Sequence, residues 1–288
     1  MSSAKKAIAY QGEPGANSHI ACKDVYPDWE ALPCATFEDA FAAITDGTAS
    51  LGMIPIENSI AGRVADIHHF LPGSGLHIIG EYFLPIRFQL LALPEASLAT
   101  IKSVYSHVHA LGQCRKIIRT LGLTPVVTGD TAGSAREVAE WKDPTRASLA
   151  TALAAEIYGL KALVAEAEDE KHNTTRFIVL SKTPQETKAG NGPVITTFVF
   201  RCRNVPAALY KCLGGFATNG VNMTKLESYM VGGEFSATMF LADVDGHPDD
   251  LPLKRALEEL EFFSAEFRIM GVYPAHPYRF ENRKAPGE

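Results

Sequence analysis

What this 288-residue chain lacks closes off several classes of function. Its five cysteines (Cys22, Cys34, Cys114, Cys202 and Cys212) include no C-x-x-C pair. Odd in number and scattered, they read as reduced, mostly buried thiols rather than a disulfide frame or a zinc site. No G-x-G-x-x-G follows the first apolar run, "AIAY", and no G-x-x-x-x-G-K-[ST] occurs, so no nucleotide is expected. Basic residues are not in excess: the formal net charge is −6, which argues against a nucleic-acid partner. Long hydrophobic runs are missing too. The most apolar helix-like stretch, "ASLATALAAEIYGLKALV", is interrupted by Glu156 and Lys161 and reads as a core helix, not a membrane span. The apolar run in "MSSAKKAIAYQGEPG" is too short for a signal peptide, so a cytoplasmic protein is expected.

What is present is an ordinary globular composition, 46% hydrophobic and 21% charged, which suffices for a sizeable core. The polar stretch "SKTPQETKAGNGP" (181–193) lacks apolar periodicity and marks a linker. Before it, short apolar runs alternate with helical patterns. "AIAY", "LGMIPI", "HIIGEYFLPI", "RFQLLALP", "IKSVYS" and "TPVVTG" read as strands, and "HIACKDVY", "FEDAFAAITDG", "HALGQCRKIIRTLG" and "DTAGSAREVAEW" as helices. Thr36 heads a T-x-x-D capping box. This alternation implies a mainly parallel α/β sheet. After the linker the order is βαββαβ, the ferredoxin-like unit, with Asn204 capping a helix that carries Pro206 in its first turn. "VGG" reads as a hairpin, and the tail from His276 onward as poorly ordered.

Four strand-end loops carry small polar pairs where helices are expected to begin: Asn17/Ser18, Asn58/Ser59, Ser106/His107 and Asp130/Thr131. Singly, such residues are N-caps. Together, at the carboxyl ends of strands, they outline a cleft for a small anion. The stretch "KHNTTRFIVL" (171–180) adds two hydroxyls and a guanidinium at the mouth of an otherwise apolar strand. Alternation along a strand allows at most one of Thr174 and Thr175 to face such a cleft. Arg176 suits either a bidentate carboxylate clamp or a salt bridge. His68, His69, His77 and His109 have no third ligand at metal spacing and read as structural or surface residues, so no metal is expected.

Five segments in order carry a resemblance: "YQGEPGANSHIA", "PIENSIAGRV", "SHVHALGQCRKII", "NTTRFIVL" and "NVPAALYKCLGGFATNGVNMTKLES". Through them nearly the whole chain resembles prephenate dehydratase with a C-terminal amino-acid-sensing ACT domain. The resemblance implies a two-lobed catalytic domain similar to periplasmic-binding proteins over 1–183, an ACT domain over 194–275 and a tail over 276–288. It implies decarboxylating dehydration of prephenate to phenylpyruvate without a cofactor, in a homodimer or homotetramer regulated by L-phenylalanine. Thr175, Glu57, Ser106 and Gln113 take catalytic positions, and Asn58, Ser59, Arg176, Phe177, Ser18 and His107 line the substrate. Phe177 packs as core or walls the substrate ring. Glu57 beside a dianion must be protonated or tied to a cation, which makes it a general acid or an organising group. Asn204, Pro206, Ala207, Ala208, Leu209, Glu227 and Ser228 take the effector positions. The chain departs from the family there, with "ESYM" for Glu-Ser-Arg-Pro and "PAAL" for Pro-Gly-Ala-Leu. Arogenate dehydratase and a non-catalytic sensor of small acids are the alternatives.

Overall fold

The apolar runs at 7–10, 51–56 and 177–180 become strands of one sheet in the computed structural model of the chain. The structure describes residues 6–64, 67–185, 187–203, 205–230 and 238–281. The trace begins β1 (Ala7–Gln11), α1 (Asn17–Val25), β2 (Glu30–Cys34), α2 (Phe37–Asp46), β3 (Leu51–Asn58) and β4 (Gly62–Arg63). It goes on through α3 (Ile67–Gly73), β5 (His77–Pro85), β6 (Gln89–Ala92), β7 (Ser103–Ser106), α4 (Val108–Gln113) and α5 (Arg115–Thr120). Next come β8 (Thr124–Val127), α6 (Thr131–Trp141), β9 (Arg146–Ala150), α7 (Ala152–Tyr158), β10 (Lys161–Val164) and β11 (Thr174–Ser181). The C-terminal part is β12 (Val194–Cys202), α8 (Ala208–Thr218), β13 (Met223–Met230), β14 (Thr238–Asp245), α9 (Leu251–Phe263), β15 (Ser264–Pro274) and α10 (Tyr278–Glu281). The chain divides into two compact units, 1–64 with 83–177 and 65–82 with 178–288.

The first sheet has the order β2-β1-β3-β11-β5, with β4 paired to β3. Its β1/β2 and β1/β3 pairs are parallel and its β3/β4 pair antiparallel. The second sheet runs β10-β6-β9-β7-β8. There β7 is parallel to β8 and β9, while β6 is antiparallel to β9 and β10. The expected α/β fold is present, but its sheets are mixed rather than mainly parallel. Local chemistry sets the helix starts. Thr36 and Asp39 form the reciprocal capping box at α2, and Asp130 accepts the Gly133 amide at α6.

Three expected helices are corrected. "ASLATALAAEIYGLKALV" is not one helix but the end of β9, α7 and β10, because Thr151 caps α7 by accepting the Ala154 amide and Gly159 closes it at φ 68°. "HALGQCRKIIRTLG" breaks at Cys114 into α4 and α5, because the Asp169 carboxylate accepts the first two amides of α5, Arg115 and Lys116, both at 3.0 Å. Directly after Asn58 the chain does not open a helix but turns back into β4, and α3 follows at Ile67. The Asn58 side chain accepts the Ile60 and Ala61 amides, and Gly62 supplies the positive φ of 80° on the return strand.

In the second unit, the antiparallel sheet β13-β14-β12-β15 with α8 and α9 realises the expected βαββαβ order. Its core is a cluster of Phe198, Phe200, Phe216, Val244, Leu257 and Leu260, with the Phe198 and Phe216 rings stacked at 5.7 Å. Burying each such ring contributes roughly 2–3 kcal/mol. Helix α8 starts at Ala208, after Ala207 at φ 60°, so Pro206 precedes the helix instead of occupying its first turn. The Asn204 cap and the "VGG" hairpin lie outside the described residues. The tail, expected to be poorly ordered from His276, is docked as far as Glu281. Arg279 donates to both Glu81 carboxylate oxygens, at 2.6 and 2.8 Å, and the His276 amide donates to Glu81 at 3.0 Å.

Candidate functional site

The expected catalytic and substrate residues lie in the first unit, where β3, β11 and α4 bring three of them together with one that sequence reasoning missed. The two lone pairs on Asn58 Oδ1 are taken by the Ile60 and Ala61 amides at 3.0 and 2.8 Å. That fixes which way the side-chain amide points. Asn58 Nδ2 then donates twice, to Asn173 Oδ1 at 2.7 Å and to Thr175 Oγ1 at 2.9 Å. Asn173 Nδ2 donates in turn to Gln113 Oε1 at 2.6 Å. The result is a continuous chain Thr175–Asn58–Asn173–Gln113 joining the end of β3, the start of β11 and the end of α4. Asn173 is 1% exposed, whereas Thr175, Asn58 and Gln113 are half-buried. The missed residue sat inside the quoted "HNTTRF", next to the threonines. Its signal was an asparagine placed where the strand turns apolar.

Thr174 and Thr175 separate as strand alternation requires: Thr174 is buried, and Thr175 joins the amide chain. Arg176 is not exposed as a carboxylate clamp. Its side chain is 4% exposed and its Nη1 donates to Glu57 Oε1 at 2.8 Å. A cation therefore offsets the Glu57 charge, and Glu57 lies within β3, opposite Arg63 on β4, not at the head of a helix. Ser59, expected at the substrate, is used to lash the turn to β11. Its hydroxyl donates to the His172 carbonyl and accepts the Thr174 amide, and its own amide donates to the Thr174 carbonyl, each at 2.9 Å.

Ser106 differs from expectation in its place in the fold. It ends β7 rather than opening a helix, it is fully buried, and its hydroxyl donates to the Leu149 carbonyl at 2.7 Å. Its one hydrogen is therefore spent inside the sheet and is not a donor for a ligand. His107 caps α4, with Nδ1 accepting the His109 amide at 3.3 Å. Burial, with His109 beside it, lowers the His107 pKa and keeps that nitrogen available as an acceptor. Phe177 is 1% exposed and packs as core, and Ser18 is buried in α1. Among the described residues no group of three or more His, Cys, Asp or Glu side chains could hold a metal ion, and no helix is long and apolar enough to cross a membrane.

Hydrogen-bond donors at the mouth of a sheet, with the nearby carboxylate already paired to a cation, form an arrangement for receiving an anion. Residues 8–185 match the family model described as prephenate dehydratase. The chain belongs to the prephenate dehydratase family. A Komagataeibacter europaeus protein described as a bifunctional N-acyl-homoserine lactone acylase/prephenate dehydratase is 51% identical over 275 residues, 96% of this chain and 98% of that relative. An Arabidopsis thaliana chloroplastic arogenate dehydratase/prephenate dehydratase is 34% identical over 276 residues, 93% of this chain and 72% of the relative. The solved structure of prephenate dehydratase from Arthrobacter aurescens in complex with L-Phe superposes with a TM-score of 0.86 at 31% identity, covering 93% of this chain and 90% of that one. The "PIENSIAGRV", "NTTRFIVL" and "SHVHALGQCRKII" segments meet here, through Asn58, Asn173, Thr175 and Gln113.

Proposed function

We propose that the chain catalyses the decarboxylating dehydration of prephenate to phenylpyruvate. The observation that carries this reading is the Thr175–Asn58–Asn173–Gln113 chain, in a member of a family whose model bears the name of that reaction. The carbon–carbon bond to the ring carboxylate breaks and its electrons enter the ring. The ring carbon–oxygen bond breaks at the same time, and the departing oxygen leaves as water after gaining a proton. Aromatisation drives the step, so the protein's task is positioning and hydrogen bonding at the departing oxygen. Thr175 Oγ1, which accepts from Asn58, keeps its own hydrogen to donate to that oxygen. Gln113 Nε2 holds the substrate and Asn58 orients Thr175, while the Arg176–Glu57 pair keeps the Glu57 carboxylate from repelling a dianion.

In the same reading residues 1–183 are the catalytic part, 194–275 an ACT domain and 276–288 a tail. L-phenylalanine binds along the β12–α8 connection and β13, with Asn204, Pro206, Ala207, Ala208, Leu209, Glu227 and Ser228 as its residues, in a cytoplasmic homodimer or homotetramer. The L-Phe complex of the Arthrobacter aurescens relative supports the effector. Two further substrates follow from relatives. Arogenate is carried by the Arabidopsis protein, and amide cleavage of an N-acyl-homoserine lactone by the 51% identical one.

The test is a purified-protein assay with prephenate, arogenate and an N-acyl-homoserine lactone in parallel, each with and without L-phenylalanine. Phenylpyruvate release that responds to phenylalanine is expected. Turnover of arogenate alone would replace the substrate, and no turnover of prephenate or arogenate would overturn the reading.

A further inference from the structure

We propose that Asn173 is a positioning residue that sets the hydrogen-bond polarity of the candidate site, so that Thr175 and Gln113 both present donors to the ligand. The inference rests on the functional reading above for what the donors act on, but its geometry is independent of the substrate. It follows from counting protons along the chain of bonds.

Asn58 can point only one way, because two backbone amides occupy its oxygen. Both of its N–H groups are then committed, one to Asn173 Oδ1 and one to Thr175 Oγ1. Asn173 must therefore offer its oxygen to Asn58 and its nitrogen to Gln113, at 2.7 and 2.6 Å. The flipped orientation would set the Asn173 amide nitrogen against Asn58 Nδ2, donor against donor. Gln113 receives a donor at Oε1, which leaves Nε2 as its group for the ligand. Thr175 receives a donor at Oγ1 and, among the described residues, no acceptor takes its own hydrogen. Two backbone amides thus dictate, through the Asn58 and Asn173 side chains, that Thr175 and Gln113 each keep a donor for the ligand. That pattern suits a dianion and a departing hydroxyl, and it disfavours a cationic ligand.

The decisive variant is Asn173→Asp, which has the same shape and one titratable proton. Protonated, its carboxyl accepts from Asn58 and donates to Gln113, as asparagine does. Ionised, it faces Gln113 Oε1 with a second acceptor, so the Gln113 amide turns over, spends Nε2 on the carboxylate and shows its oxygen to the ligand. A carboxyl at a 1% exposed position ionises above its ordinary value of about 3.9, which brings the change into an accessible range.

For Asn173→Asp we expect kcat near wild type at pH 5, falling by about 10- to 100-fold by pH 8 with KM changed less, a transition that wild type lacks. Asn173→Ala is expected to lose kcat throughout without low-pH rescue. Selective 15N-glutamine labelling gives a readout that needs no turnover. The chain has four glutamines (Gln11, Gln89, Gln113 and Gln185), and only the Gln113 side-chain amide should shift with pH in Asn173→Asp. If Asn173→Asp does not fold, Gln113→Glu serves in its place, with kcat again highest at low pH. A variant profile parallel to wild type, with an unmoved Gln113 signal, would overturn the proposal. A moving Gln113 signal in a protein inactive on prephenate would instead leave the polarity standing and sink the substrate reading.

Discussion

Glutamine in place of Glu57 separates two roles for that carboxylate, counterion or proton donor, because it removes the charge and keeps an oxygen for Arg176. The pair is close, 2.8 Å from Nη1 to Oε1, and asymmetric, with the arginine side chain 4% and the glutamate 33% exposed. Two unit charges about 4 Å apart attract by about 4 kcal/mol at an effective dielectric of 20. Removing one partner of a fully buried pair costs about 3–5 kcal/mol, chiefly through the charge left behind. Water at Glu57 already screens part of the attraction, and glutamine still accepts from the guanidinium. The expected loss is therefore about 2 kcal/mol. At about 2–4 °C per kcal/mol for a unit of this size, the melting midpoint should fall by roughly 4–8 °C. As counterion, Glu57 takes no part in proton transfer. The variant should then keep kcat within about tenfold of wild type, and its KM for a dianion should not rise, because the site gains net positive charge. Thermal melting and steady-state kinetics on the same preparation decide the matter. An unmoved midpoint with kcat down more than about 100-fold would show the carboxylate acting in proton transfer and refute the counterion assignment.

Thr175→Val keeps the shape but deletes both the donor and the oxygen that accepts from Asn58, so kcat should fall on the order of 100-fold with a stability loss of only about 1 kcal/mol; near-normal kcat would remove Thr175 from the chemistry. Ser106→Ala deletes the bond to the Leu149 carbonyl and should cost about 1 kcal/mol in urea unfolding while leaving kcat alone, and a large kcat loss would restore Ser106 to the site. Arg279→Ala takes the guanidinium from the Glu81 carboxylate, whose side chain is fully buried, and should destabilise the second unit by about 3 kcal/mol; a shift under 1 kcal/mol would mean that the tail is dispensable. Burial, with Cys212 alongside, pushes the Cys202 thiol up to about 12, and burial does the same to Cys22. An unfolded thiol ionises near 8.5, so this contribution to stability is complete below about pH 8.5 and is lost as pH rises toward 12. Alkylation of both thiols should accordingly be slow in folded protein at pH 8, and rapid labelling there would contradict their raised pKa values.

Much of this was readable in the order of residue types. The Thr36 capping box, the βαββαβ order and the apolar strands rest on contacts a few residues long or on period-two burial, which a sequence displays directly. What was not readable depends on distant partners. Nothing near Cys114 announces a helix break, because the carboxylate that caps α5 comes from Asp169, 54 residues from Arg115. Alanine-rich "ASLATALAAEIYGLKALV" satisfies helical and strand patterns alike, and only Thr151 and Gly159 divide it. Thr175 and Gln113 could be named from the family resemblance, but Asn173 could not, since its value lies in reaching partners 115 and 60 residues away. Ser106 and Arg176 stood in the right motifs and proved to be committed inward. A motif gives a side chain's neighbourhood in sequence, not which of its hydrogens are already spent.

The segment from Asp169 to Asn173 is pinned at both ends to one helix turn. Asp169 donates its amide to the Gln113 carbonyl at 2.6 Å and caps α5, while Asn173 grips the Gln113 side chain. Between the pins, Glu170, Lys171 and His172 are exposed. Their identities are free to drift, but their number is not. One residue more or fewer would carry Asn173 past its partners and turn the strand that follows over by one face. Among descendants of this chain, the spacing of this loop is therefore the inherited quantity, more than the letters that fill it.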